Sequence, residues 1–178
     1  MYLCKPSREA IAGWSSLAAD DAPDYLAALK SALREIDLAS DQMLNELLWD
    51  YTRLFIGPYR LPCPPWESVY TSQKKLMMQD AADDARGTYA ELGLIIDDPN
   101  VMPDHIGAEL NFLSLAYERA GQGDGKRPDW IRVGDGFLHE HLLNWAPQFT
   151  SDMEAAAEAF LYKTLARTTR NTLVLLSA

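Results

Sequence analysis

Asp104, His105 and Glu109 carry the side chains in this sequence best suited to gripping a cation. Pro103 suits the first turn of a helix, because its missing N–H has no partner there anyway. Asp104 is then expected at the second helical position, where the macrodipole keeps a carboxylate ionised. Glu109 follows His105 by four residues, within side-chain reach on one helix face. An anionic pair beside an imidazole could accept a guanidinium through charge-assisted hydrogen bonds. On spacing alone, Asp104 also reads as a favourable first-turn acid and His105 as a packed side chain. The same residues could furnish a metal-dependent hydrolase.

A second group of residues offers apolar contact instead of charge. The stretch LFIGPYRLPCPPWESVY, Leu54 to Tyr70, sets Pro58, Pro62, Pro64 and Pro65 among Phe55, Tyr59, Trp66 and Tyr70. Proline fixes φ and removes a donor, so this segment can neither extend a helix nor enter a sheet interior. Phe55 and Leu54 are expected in the core. Trp66, held by Pro64 and Pro65, and Tyr59, next to Pro58, are expected on an exposed face. Tyr51 and Tyr70 flank the segment. Aromatic side chains bring large contact area with few rotors, which suits a peptide with an apolar middle.

Other chemistries find little support. His139 and His141 stand two apart, about 200° around a helix, and cannot chelate one ion as a pair. Gly121 to Lys126 contains a GK pair without the remaining P-loop spacing, and Arg127 stands where Ser or Thr is required. Cys4 and Cys63 are read as free thiols, with no base evidently paired to either. No catalytic residue, metal or cofactor is expected, and the chain is not read as an enzyme. The net charge of −10 argues against nucleic acid and suits a basic peptide. The N-terminus MYLCKPSREA carries Lys5 and Arg8 with no apolar run, so no secretory leader is expected. No window approaches the ~20 apolar residues that cross a bilayer. The expected location is cytoplasmic.

The elements that must position these residues read as helical nearly everywhere. Ile11, Trp14 and Leu17 follow a capping Ser7; Tyr25, Leu29, Leu33 and Ile36 form a second stripe. Ser40 precedes Leu44, Leu47, Tyr51 and Leu54, with Gly57 and Pro58 as a stop. A helix is predicted to resume near Val69 and run through Ala81, Ala85, Tyr89 and Leu92. The clearest stripe is Ile106, Leu110, Leu113, Tyr117 and Ala120. Gly121 to Asp129 reads as a connector, and Leu138, Leu142 and Trp145 mark a helix ending at Pro147. Ser151 and Glu154 are read as a capping box for the last helix, with Ala157, Phe160 or Leu161, Thr164 and Thr168. The acidic doublets Asp20-Asp21, Asp83-Asp84 and Asp97-Asp98 read as solvated faces or caps. The expected fold is all-α, one helical domain over residues 1–178.

LFIGP, PPWESVY, PDHIG, HLLNWAPQF and a final long helix occur here in that order. Together they resemble the TorD/DmsD family of redox-enzyme maturation chaperones, from about Leu47 to the C-terminus. The resemblance implies a helical bundle that binds the precursor of a molybdenum-containing oxidoreductase, in many members through its twin-arginine signal peptide. It implies holding that precursor back from export until cofactor insertion. The family's DH pair, implicated in signal-peptide binding, falls on Asp104 and His105. Tyr51 stands where a larger aromatic linked to peptide binding often sits. The expected peptide-binding residues are therefore Tyr51, Tyr59, Pro65, Trp66, Tyr70, Asp104, His105 and Glu109, in a monomer or homodimer. Family members usually open with a helix ending in a YL…P pattern, matched here by Tyr2-Leu3-Cys4-Lys5-Pro6, so the chain is expected to start late. The alternative is a helical adaptor that binds a folded partner enzyme without reading a signal peptide.

Overall fold

The computed structural model describes residues 2, 4–17, 23, 26–38, 40–58, 60–122 and 127–177. The expectations for Tyr25, Tyr59, Asp20 and Asp21, and for the middle of the 121–129 connector, fall outside these residues. Every extended element among the described residues is helical: α1 (Arg8–Leu17), α2 (Ala27–Arg34), α3 (Asp41–Phe55), α4 (Glu67–Thr71), α5 (Asp80–Glu91), α6 (Ile106–Gly121) and α7 (Arg127–Phe137), then a π-helical turn (Leu138–Leu142), α8 (Leu143–Ala156) and α9 (Phe160–Leu176). The fold is all-α, as the periodicity predicts. Two compact units divide the chain, Met1–Pro64 with Gln148–Leu176 and Pro65–Pro147.

In the first unit, α2 packs on α9 and α1 on α2. Ser7 Oγ accepts from Ala10 N (3.1 Å), and Ser40 Oγ from Met43 N (3.2 Å), the two N-caps expected from the sequence. Leu47, Tyr51, Leu54 and Phe55 are buried along α3. Tyr51 and Phe55 lie edge-on at 5.3 Å, with Tyr162 6.2 Å from Phe55. The last helix does not use the Ser151–Glu154 box, because α8 runs through both residues. Its amino terminus is held from α3 instead: the Asp50 carboxylate accepts from Glu158 N (2.9 Å) and Ala159 N (2.8 Å), and also takes Arg53 (2.6 Å). Glu154 faces Arg167 and Arg170 on α9. Pro147 does not end its helix either. Proline inside a helix costs about 3 kcal/mol. Trp145, Ala146, Phe149, Thr150 and Met153 on the same helix are all fully buried, and that burial outweighs the lost hydrogen bond.

In the second unit, α6 packs along α7. The helices approach closely where Gly134 faces Ala116; a Cβ on Gly134 would lie 3.3 Å from the alanine methyl. Tyr89, Phe112, Phe137 and His141 form a run of neighbouring rings, at 4.6, 4.7 and 4.4 Å in turn. The helix predicted from Val69 onward is two helices. Between α4 and α5 the chain turns, with Lys75 and Met78 at φ 51° and 56°. Gln79 holds this turn: its Nε2 donates to the carbonyls of Met77 and Met78, and its N–H donates to Ser68 Oγ. The buried face of α6 is Ile106, Glu109, Phe112, Leu113, Ala116 and Ala120. Leu110 and Tyr117 are only partly buried. The predicted stripe was displaced because one core position is occupied by an acid.

Candidate functional site

The proline segment meets the start of α6 through backbone hydrogen bonds. Glu67 N donates to Asp104 O and Ile106 N donates to Pro65 O, both at 2.9 Å, forming an antiparallel bridge between Trp66 and His105. Each donor is the first N–H of a helix, a group with no partner inside its own helix. The amino termini of α4 and α6 thus satisfy one another. Trp66, Pro65, Asp104 and His105 are consequently brought together. The Trp66 and His105 rings stand edge-to-face, 6.1 Å apart and 78° inclined.

Asp104 is not at the second position of α6. The helix begins at Ile106 with His105 as its N-cap. The Asp104 carboxylate turns to α4, where Oδ2 accepts from Ser68 N (3.0 Å) and from the Ser68 hydroxyl. Trp66 caps α4 without a capping side chain, so Asp104 supplies the acceptor that the tryptophan lacks. It is fully buried. His105 does not reach Glu109; its Nδ1 accepts from Gly107 N (3.0 Å). Burial lowers the His105 pKa to about 4, leaving the ring neutral and able to accept that bond.

Glu109 faces a different set of partners. Its Oε2 accepts from Trp145 Nε1 (3.0 Å), and Glu67 on α4 lies beside it. Burial, then the charge of Glu67, raises the Glu109 pKa well above the usual carboxylic range. Glu67 Oε2 lies 2.7 Å from His141 Nδ1 on the π-helical turn, and Phe137 stacks on the His141 ring. Asp104 and Glu109, the anionic pair expected to take part in peptide binding, are both fully buried and accept hydrogen bonds from Ser68 and Trp145. Tyr70 lies 5.5 Å from the Trp145 ring, inclined at 36°. Tyr51 belongs to the first unit and is buried there.

One residue beyond Trp66 a groove opens, of about 1000 Å³, between α4, α5 and the π-helical turn. Glu67, Asp80, Asp83, Asp84, Glu91 and Glu140 line it, and among the described lining residues Lys74 is the only Lys or Arg. Arg86 pairs with Asp83 (2.7 Å) and Arg132 approaches Glu91 (3.8 Å). The turn bordering it carries Leu76, Met77 and Met78, which are 55%, 38% and 67% exposed. Sequence reasoning missed this arrangement. In sequence Asp83 and Asp84 read as a solvated face or cap, and KKLMM carries no periodic signal. Glu67 and His141 were missed for a different reason. They are 74 residues apart, and no local spacing joins them.

Residues 16–151 match the family described as nitrate reductase delta subunit. The chaperone protein TorD of Photobacterium profundum is 27% identical over 138 residues, 76% of this chain and 63% of TorD. The Tat proofreading chaperone DmsD of Salmonella typhi is 31% identical over 124 residues, 69% of this chain and 56% of DmsD. The chain thus matches less than two thirds of the length of these relatives. A crystal structure from Archaeoglobus fulgidus, described as that of a redox enzyme maturation protein, matches with a TM-score of 0.70 at 25% identity, over 97% of this chain and 88% of that one. Sequence and fold agree: the chain belongs to the nitrate reductase delta subunit family and is similar to the chaperones TorD and DmsD.

Proposed function

We propose that the protein is an assembly chaperone that holds the N-terminal segment of a molybdoenzyme precursor until cofactor insertion, before export. The carrying observation is the groove between α4, α5 and the π-helical turn, which starts at Glu67, the residue after Trp66, and is acidic inside and bordered by exposed Leu76, Met77 and Met78. A twin-arginine signal peptide has the complementary chemistry, cationic at one end and apolar in its middle. Trp66 and His105, with Pro65 and Tyr70 supporting them, offer the aromatic contact. Asp83, Asp84 and Glu140 offer charge to the arginines. Asp104 and Glu109 act one layer inward, fixing the loop that presents Trp66. The reaction chemistry belongs to the client, and the chaperone acts by binding.

Burying ~400 Å² of apolar signal segment is worth roughly 10 kcal/mol gross, against an association and ordering cost of several to about 15 kcal/mol. Micromolar affinity, roughly −8 kcal/mol, is of the right order. Titration of a labelled twin-arginine peptide tests the reading. Trp66→Ala is expected to weaken binding at least tenfold. Asp83→Asn with Asp84→Asn is expected to weaken it severalfold and flatten its salt dependence, as screening of exposed charges requires. Unchanged affinity in both variants would remove the proposal.

A further inference from the structure

Beside the Trp66–His105 bridge, three ligand-type side chains from three elements converge. Glu67 from α4, Glu109 from α6 and His141 from the π-helical turn each offer one ligand atom, all within 4.8 Å of one another. All three are buried, at 4%, 0% and 7% exposure. His141 Nδ1 and Glu67 Oε2 are 2.7 Å apart. Glu109 Oε1 is buried without a hydrogen-bond partner, a costly state for a carboxyl oxygen that an ion would relieve. Two carboxylates and an imidazole are a donor set that suits zinc and related divalent transition ions.

We propose that Glu67, Glu109 and His141 bind one divalent transition-metal ion, zinc foremost, with a further coordination position toward the acidic groove. Glu67 and His141 both line that groove, which gives the ion an entry path. The carboxylates around the groove raise the local concentration of cations. Outer partners that would orient the ligands are already in place: Trp145 Nε1 donates to Glu109 Oε2, and Phe137 stacks on His141. The wide π-helical turn that presents His141 is a feature often found where a helix serves a site. The ion's role is structural, tying α4, α6 and the turn together behind Trp66. It holds or fails independently of which client segment is bound.

Chelator-treated protein titrated with Zn²⁺ or Co²⁺ alone tests the site, by calorimetry and by visible absorption of the cobalt form. The expected result is one equivalent per chain and the intense cobalt bands of a low-coordinate nitrogen–oxygen site. Glu109→Gln and His141→Gln should each abolish uptake, and Trp145→Phe should weaken it about 10–100-fold. Asp83→Asn with Asp84→Asn should leave the stoichiometry at one. No stoichiometric uptake by the wild type overturns the proposal, as does uptake that survives both ligand variants or vanishes with the groove aspartates. Should the ligand variants fail to fold, the wild-type spectrum decides: weak six-coordinate cobalt bands overturn the site.

Discussion

His105 and Glu109 sit in the same helix start yet respond to pH in opposite directions. The His105 pKa is lowered on folding from 6.5 to about 4. Its contribution is complete above about pH 6.5 and is lost as pH falls toward 4, because the unfolded chain then binds the extra proton. Loss of the Nδ1 cap on Gly107 N accompanies that protonation. His105→Asn, which keeps a capping acceptor that does not titrate, is expected to flatten the acid side of the stability profile. The Glu109 pKa is raised on folding from 4.5. Its contribution is complete below about 4.5 and is lost as pH rises toward the folded value. Glu109→Gln mimics the protonated acid and should raise the melting temperature relative to wild type increasingly from pH 5 to pH 8. Thermal denaturation across that range, in chelator, checks both. A wild-type profile parallel to both variants would contradict the assignments.

Asp104 has a different consequence, since it binds α4 and not a ligand. Asp104→Ala removes two hydrogen bonds to a buried carboxyl group, from Ser68 N and Ser68 Oγ. A loss of about 3 kcal/mol is expected in urea titration. Peptide affinity measured well below the melting point should fall less than it does in Trp66→Ala.

Among the helices, what could be read locally was read well. The cap at Ser40 and the stripe Leu47, Tyr51 and Leu54 follow from spacing, and the structure buries all three side chains. No periodicity joins Trp66 to His105, and the backbone bridge supplies the physical cause of their meeting. Two kinds of error have physical reasons. Ser151 and Glu154 have the composition of a capping box, but the true cap of α9 is Asp50, 108 residues before Glu158. The α6 stripe omitted Glu109, because a buried acid is invisible to any count of apolar residues. Asp50→Ala tests the long-range cap. It leaves Glu158 N and Ala159 N without their acceptor and Arg53 without its carboxylate partner, and should cost about 2–3 kcal/mol by chemical denaturation. A cost under 0.5 kcal/mol would mean that solvent replaces the cap.

Across the molecule, the chain passes from one compact unit to the other at Pro64–Pro65 and back at Pro147–Gln148. We propose that residues 1–178 nonetheless behave as one domain. The expected observation is a single calorimetric transition with equal calorimetric and van't Hoff enthalpies; two resolved transitions would refute it. Among the described residues, no helix is long and apolar enough to cross a membrane.

The split of the first unit across both ends of the sequence also sets a timetable for synthesis. While the chain is still emerging from the ribosome, α1 to α3 have been made but α9, against which α2 packs, has not. Pro65–Pro147 is complete in the chain before α9 is made, whereas α2 must wait for its α9 partner. A messenger truncated before residue 160 would yield a polypeptide with α2 permanently without that partner, marked for aggregation or proteolysis. Slow decoding near the 3′ end would prolong the same vulnerable interval.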